Sequence, residues 1–468
     1  MAAKESKTGA ETEERKLTAI IMAGGKGTRM ASPLPKVLHP VAGRPMIERV
    51  IRSCQAAGVR DIRVVVGHGQ NLVRQVVEPL GVHCYLQERQ LGTGDAVRAA
   101  QPETVTGDVL ILSGDVPLVN TDDLRSFISE FREQKAALAV VTAELKKPGD
   151  LGRIIRSGGN LHSIVEARDA TIETLKIREI NTGIYVAKAE ILSEYLPLIK
   201  NENSKGEFYL TDIVSLCIEN QEKTIPIKGK PHVSIGVNCQ VDLAKATRAV
   251  FRRKIKTLMD SGVLVIDPRS TYIEDEVIIG PASVIYPNVY LRGYTKLGNF
   301  CVVEPNCYIH NTEIGDSVQI RAGSYLESSK IYNKATLGPY ARLRPETEIG
   351  EEAHVGNFVE MKKVRFGKKS KAGHLTYLGD ADVGEETNIG CGTITCNYAA
   401  DKKKYKTTIG SRVFVGSDSQ FVAPVVIGDD SYIGSGSTIT KDVPAKSLAV
   451  ARGRQFVKEN WAPKKDEE

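Results

Sequence analysis

Residues 279–303 read IGPASVIYPNVYLRGYTKLGNFCVV, with Ile279, Ile285, Leu291, Leu297 and Val303 six positions apart. The series continues through Ile309, Ile314, Ile320, Leu326, Ile331, Leu337, Leu343, Ile349, Val355, Met361, Phe366, Ala372, Leu378, Val383 and Ile389, the step shortening to five in places. It breaks, then resumes at Ile409, Val415, Phe421, Ile427, Ile433 and Ile439. An amphipathic helix needs apolar residues every three or four positions, and a half-buried strand every second one. A six-residue step instead supplies one inward side chain and one turn for each flat face of a β-solenoid. With three faces to a coil, the series predicts about eight or nine stacked coils.

Outward from this repeat, toward the N terminus, the period turns helical. From Asp242 to Met259, Leu243, Val250, Phe251, Ile255 and Leu258 share one side, and Arg248, Arg252, Arg253, Lys254 and Lys256 occupy much of the rest. Asp242 is placed to cap the N-terminus and Gly262 to follow the C-terminus. This segment reads as a rigid connector whose basic face is solvated. Before it the chain reads as α/β. Leu17 to Met22 is a buried strand ending at Ala23-Gly24-Gly25, and Ile62–Val66 and Val109–Leu112 are short β-branched runs followed by glycine and a helical stretch. Such alternation predicts a mostly parallel sheet. Residues 1–16 are polar and charged and are expected to be disordered.

The composition sets limits. The chain has 468 residues, a net charge of +6 and 41% hydrophobic residues, enough for two separate cores. No stretch approaches the ~20 continuous apolar residues of a membrane span, and no signal-peptide pattern opens the chain. Eight scattered cysteines lack the paired spacing of a zinc site or a disulfide framework, so a cytoplasmic location is expected. The lysines and arginines at 362, 363, 365, 368, 369 and 371 lack interleaved aromatics, so they read as phosphate ligands or a solvated face and not as a nucleic-acid surface.

Two groups of residues carry chemistry. The loop Met22-Ala23-Gly24-Gly25-Lys26-Gly27-Thr28-Arg29-Met30 follows the first strand, and Pro35-Lys36 comes shortly after. Glycines let backbone N–H groups approach phosphate oxygens, and Lys26, Arg29 and Lys36 add positive charge. Neither the Walker A pattern nor G-x-G-x-x-G fits in register. Asp115, in Ser113-Gly114-Asp115-Val116-Pro117, lies just past an apolar strand, where ligands of open α/β sheets gather. In the solenoid, the pattern-breaking residues lie between Arg344 and Tyr398. They include His354, Asn357, Glu360, Lys362, Lys371-Ala372-Gly373-His374, Tyr377, Asn388 and Thr395-Cys396-Asn397-Tyr398, and a loop leaves the prism from Asn397 to Thr408.

The first group, with Gln87, Gln90-Leu91-Gly92-Thr93-Gly94, Gly152-Arg153-Ile154, Ile164-Val165-Glu166, Asn181-Thr182-Gly183 and Gly236-Val237-Asn238, resembles the sugar-1-phosphate nucleotidyltransferases. That resemblance implies a Rossmann-like domain in which Asp115 and Asn238 hold Mg2+ while Arg29 and Lys36 face the phosphates. Gln87, Gly92 and Thr93 would read uracil, and Gly152, Glu166 and Asn181 would hold the sugar. Met22, Ala23, Gly24, Gly25, Ser113 and Gly114 would complete the nucleotide and sugar site.

With the second group added, the chain from about Leu17 to Arg452 resembles the bacterial bifunctional N-acetylglucosamine-1-phosphate uridylyltransferase/glucosamine-1-phosphate acetyltransferase family. The resemblance implies a left-handed parallel β-helix that assembles as a homotrimer, with acetyl-CoA and UTP as cosubstrates and UDP-N-acetylglucosamine, a precursor of cell-wall and lipopolysaccharide sugars, as product. His374 would be the general base, Arg344 and Lys362 would clamp the sugar phosphate, and Tyr377 and Asn388 would hold the sugar. Cys391, Asn397, Tyr398, Ser417, Ser435 and Arg452 would line the acetyl-CoA side, and His354 would be structural. The implied organisation is an extension over 1–16, a nucleotidyltransferase domain over 17–239, a helical linker over 240–262 and an acetyltransferase domain with a tail over 263–468.

The chain departs from the family pattern at Gly24, where alanine is common, at Ser113, at Asp95 in a usual histidine position, and at Cys391 and Ser435. Two other readings are a single-function nucleotidyltransferase with a structural solenoid and a non-catalytic assembly protein. The set Arg344, Lys362, His374, Asn397 and Tyr398 counts against the first, and Lys36, Asp115 and Asn238 count against the second.

Overall fold

Ala19, Ile20 and Ile21 are fully buried because the first strand, β1 (Leu17–Met22), runs through the middle of a nine-stranded sheet. This computed structural model describes residues 16–459 and Trp461, so the expectation for 1–16 lies, Lys16 aside, outside the described residues. The chain forms two compact units, one ending at Val250 and the other beginning at Phe251.

In the first unit, β2 (Asp61–Val66), β3 (His83–Leu86) and β4 (Asp108–Ser113) lie parallel to β1 in the spatial order β3-β2-β1-β4. Helices α1 (Met46–Ala56), α2 (Gln70–Val77) and α3 (Thr93–Ala99) occupy the crossovers. The sheet continues through β5 (Leu138–Glu144), β8 (Glu179–Lys188) and β9 (Thr224–Lys228), with β8 antiparallel to both β4 and β5. A side hairpin, β6 (Arg153–Ser157) and β7 (Asn160–Val165), attaches to β8. Alternate residues of β1 feed two cores: Ala19 and Ile21 join one cluster and Ile20 the other, so the sheet is covered on both faces. The strand order reverses at the β1/β4 junction, and ligands of open α/β sheets gather at the strands' carboxyl ends beside such a switch point.

The second unit is a single 26-stranded solenoid in which most strands pair in parallel with the one three places on, the two long strands His354–Phe366 and Lys371–Val383 excepted. On one face Ile285, Val303, Ile320, Leu337, Val355, Ala372, Ile389, Val415 and Ile433 stack in register. All of these are buried. The stack holds about ten coils, more than the six-residue step alone predicts. It starts at Leu264–Val265 and Tyr272–Ile273 and runs to Leu448–Ala449, where uneven turn lengths hide the period.

Corners carry left-handed residues. At one of them Lys334, Glu352, Lys369, Glu386, Arg412, Asp430 and Lys446 all have positive φ. Their charges alternate from coil to coil, and Arg412 Nε meets Asp430 Oδ1 at 2.7 Å. Successive strands lie ~4.8 Å apart, so this alternation favours the observed register and puts like charges together after a slip of one coil.

The helix Gln240–Asp260 begins two residues before the expected cap. Asp242 therefore sits in its first turn, where its carboxylate accepts from Asn238 N at 3.3 Å. Val250, Ile255 and Leu258 are buried, but Leu243 and Phe251 only half so. Lys254 departs from the expected solvated face. It is half-buried, donates to Asp275 O at 2.7 Å, and burial holds its ammonium below the usual lysine range.

Candidate active sites

Met22 ends β1 directly opposite Ser113, which ends β4, and Gly114 N donates to Met22 O at 2.9 Å. The glycine loop and Asp115 thus leave the sheet side by side at the switch point. Gly27 has φ 59°, and a Cβ there would stand 2.7 Å from Lys36 Cβ; only glycine lets Lys36 pack under the loop. The Lys36 ammonium bonds to Asp115 Oδ2 and, at 3.2 Å, to Asn238 Oδ1. Val237 N donates to Asp115 O at 2.9 Å, which ties the segment before the helix to the end of β4. Two oxygens from chain positions far apart therefore converge on one cation. This hard oxygen pair suits Mg2+, which takes one or two protein ligands and completes its shell with waters and phosphates. Arg29 is more exposed and lies 3.9 Å from Asp150.

The base-side residues form a second cluster. Gln87 is 6% exposed and its Nε2 donates to Gly92 O at 3.1 Å and Asp95 Oδ2 at 2.8 Å. Gly92 has φ 120°, and its neighbours are clamped by Phe208–Leu210: Gly94 N donates to Phe208 O at 2.8 Å and Leu210 N to Thr93 Oγ1 at 2.9 Å.

On the sugar side, Asn181 N donates to Gly152 O at 2.9 Å, and a Cβ on Gly152 would stand 3.4 Å from Glu166 Oε1. Gly152, Glu166 and Asn181 are thus brought together. The Asn181 side chain is engaged internally, donating to the Tyr185 hydroxyl at 2.7 Å and accepting from Gly183 N at 3.0 Å. Burial raises the Glu166 carboxyl above the usual carboxylate range; Lys205 works against the rise and Asp169 and Asp212 add to it.

In the solenoid, the strands His354–Phe366 and Lys371–Val383 each run through three faces without a break. Their first corner places His374 opposite Asn357. Above it Gly392 N donates to Leu375 O, Asp418 N to Cys391 O and Gly436 N to Ser417 O, and Arg452 donates to Ser435 O at 3.0 Å. His374, Cys391, Ser417, Ser435 and Arg452 therefore climb a single edge, coil by coil.

Arg344 and Lys362 stand at the next edge, where Arg344 donates to Glu360 at 3.0 Å. Tyr377 lies on the face between the two edges. Asn388 pairs with Lys371 on the face before His374, so within one chain it is set apart from Tyr377. Asn397, almost buried, donates to Asp380, and exposed Tyr398 pairs with Lys404 across the loop.

This pairing folds Lys404 back beside Lys362, a contact the sequence reading missed. Repulsion from Arg344 and then Lys404 holds the Lys362 ammonium below the usual lysine range, with Asp380 working against the fall. The only signal was the run Lys402-Lys403-Lys404 in the loop. His354 is half-buried, and burial, with Arg321, Lys371 and His374, disfavours its protonated form.

Residues 19–175 match the MobA-like NTP transferase domain family, and residues 406–441 match the six-repeat bacterial transferase hexapeptide family. A protein of Bdellovibrio bacteriovorus named "Bifunctional protein GlmU" is 66% identical over 448 residues, 96% of this chain and 98% of that one. Proteins of the same name from Pelobacter propionicus and Geotalea uraniireducens are 46% and 45% identical, covering 95% and 96% of this chain and 98% and 99% of theirs.

Proposed function

This chain belongs to the bifunctional GlmU family, and we propose how its two units divide the chemistry of a uridylyltransferase and an acetyltransferase. The solenoid acetylates glucosamine 1-phosphate with acetyl-CoA, and the α/β unit then joins N-acetylglucosamine 1-phosphate to the uridylyl group of UTP, releasing pyrophosphate. On this reading residues 17–239 form the uridylyltransferase, 240–262 the linker and 263–468 the acetyltransferase.

In the solenoid, Arg344, Lys362 and Lys404 hold the sugar phosphate, and Tyr377 and Asn388 hold the sugar. His374 takes a proton as the glucosamine nitrogen attacks the thioester carbonyl and the CoA thiolate leaves. An imidazole suits general-base catalysis of this kind. Cys391, Asn397, Tyr398, Ser417, Ser435 and Arg452 hold acetyl-CoA along the edge above His374, with the Arg452 guanidinium suited to a phosphate. Because Tyr377 and Asn388 sit on different faces of one chain, the complete sugar site is assigned to a homotrimer, in which neighbouring solenoids bring such faces together.

In the α/β unit, a phosphate oxygen of the sugar attacks the α-phosphorus of UTP. Lys36 and Arg29 face the phosphates, Gln87, Gly92 and Thr93 meet the base, and Gly152, Glu166 and Asn181 hold the sugar. Mg2+ at Asp115 and Asn238 would neutralise phosphate charge as the leaving group departs. The cytoplasm is the assigned location. The observation that carries the whole reading is that Lys36, Asp115 and Asn238 occur together with Arg344, Lys362, His374, Asn397 and Tyr398 in a chain that matches a GlmU relative over 96% of its length.

The test is one assay on purified protein given glucosamine 1-phosphate, acetyl-CoA, UTP and Mg2+, with thiol and pyrophosphate read separately. Both should appear, and pyrophosphate should depend on acetyl-CoA. Pyrophosphate only from added N-acetylglucosamine 1-phosphate, with no thiol, would reduce the solenoid to a scaffold.

A further inference from the structure

Two of this chain's departures from the family pattern, Gly24 and Asp95, meet at one side chain. The Gln87 amide has two N–H donors, and Gly92 O and Asp95 Oδ2 take both, at 3.1 and 2.8 Å. A backbone carbonyl and an ionised carboxylate are acceptors only. Turning the amide over would set Oε1 against two oxygen lone pairs inside a nearly closed pocket, where such an unmet pairing is costly. The orientation is therefore fixed, with Oε1 on the side of Gly24. There a Cβ would stand 3.1 Å from Oε1, tighter than ordinary contact, and glycine leaves the oxygen room.

We propose that Asp95 is a positioning residue for base selection: it locks Gln87 with its carbonyl oxygen presented, so that the site prefers a pyrimidine carrying an N3–H over one with an N3 lone pair. This rests on the reading that Gln87 meets the base. Uracil and thymine donate from N3, whereas cytosine sets its N3 lone pair against Oε1.

Asp95→Asn keeps the shape but offers a donor as well as an acceptor, so only Gly92 O still holds the Gln87 amide in place, and the turned-over orientation, met by the new amide donor, is no longer excluded. The kcat/KM ratio for UTP over CTP should fall roughly tenfold, the worth of one hydrogen bond whose direction is lost. The loss should fall more on KM for UTP than on kcat. The UTP to dTTP ratio should hold, because both bases carry N3–H, and acetyl transfer should be unaffected.

A parallel fall in the UTP to CTP and UTP to dTTP ratios would make Asp95 merely structural and overturn the proposal. Gln87→Ala separates the two layers. If it lowers the UTP to CTP ratio and Asp95→Asn does not, the proposal alone falls. If Gln87→Ala leaves the ratio unchanged, Gln87 does not read the base, and both fall. Should Asp95→Asn fail to fold, Gly24→Ala tests the same amide from its other end. Crowding Oε1 should lower the UTP to CTP ratio with the UTP to dTTP ratio again held, and an unchanged UTP to CTP ratio would overturn the proposal.

Discussion

The two units assemble a site from opposite materials. In the α/β unit, Lys36, Asp115 and Asn238 come from chain positions far apart and converge because parallel strands deliver their carboxyl ends to one crevice. In the solenoid, His374, Cys391, Ser417, Ser435 and Arg452 are in the same part of the chain, and the repeat itself lines them up along an edge. A sheet concentrates distant residues at a point, whereas a repeat spreads neighbouring residues along a line. The second geometry suits a long ligand such as an acyl-CoA, and the first suits charge collected around a triphosphate.

The largest test of this comparison is reciprocal. His374→Ala should reduce acetyl transfer by ~10²–10⁴-fold while uridylyl transfer continues, and Asp115→Ala should do the reverse. Thiol and pyrophosphate release from each variant measure this; loss of both activities from either change would mean that the two chemistries are not separable.

Next in size is a comparison of cores. Leu337 and Leu110 are both fully buried, one in the solenoid stack and one in β4. Truncating either to alanine should cost about 2–5 kcal/mol. In calorimetry, Leu337→Ala should lower the solenoid transition and Leu110→Ala the α/β transition, each leaving the other in place. A joint shift would show the units to be thermodynamically coupled.

The smallest effect is pH-dependent and belongs to the α/β unit alone. The Glu166 carboxyl is raised in the folded state, so the folded form binds the proton more tightly than the unfolded chain does. Stability then falls as pH rises through the usual carboxylate value toward the raised one, and above it the buried charge exerts its full cost. Glu166→Gln should therefore raise the melting temperature at about pH 8 and have much less effect at about pH 4, close to the usual carboxylate value, while weakening sugar-phosphate binding. A shift of equal size at both pH values would assign the gain to packing and not to the charge.

Legibility differed between the units for a physical reason. The solenoid's inward residues obey a local period, so most of the stack from Ile279 to Ile439 could be read straight from the chain, while the irregular ends at Val265, Ile273 and Ala449 and the polar Thr395 beneath Phe421 were missed. The glycine loop after β1 was equally local. The partners of Gln87 were not: Asp95 stood out only as a departure from a pattern, and nothing in its neighbourhood said that it faces an amide eight positions back. Lys404 was hidden in the same way, because the loop that brings it to Lys362 closes through the pairing of Tyr398 with Lys404.

The sequence by itself determined which faces are buried, where the glycine loop sits and which residues break the repeat. These follow from periodicity and from glycine's freedom, both properties of short stretches of chain. Only the tertiary structure decided that Lys36 bridges Asp115 and Asn238, that the Gln87 amide points one way, and that Tyr377 and Asn388 lie on separate faces. Those facts depend on distances between residues far apart along the chain, which strand order and coil stacking set and no local pattern encodes.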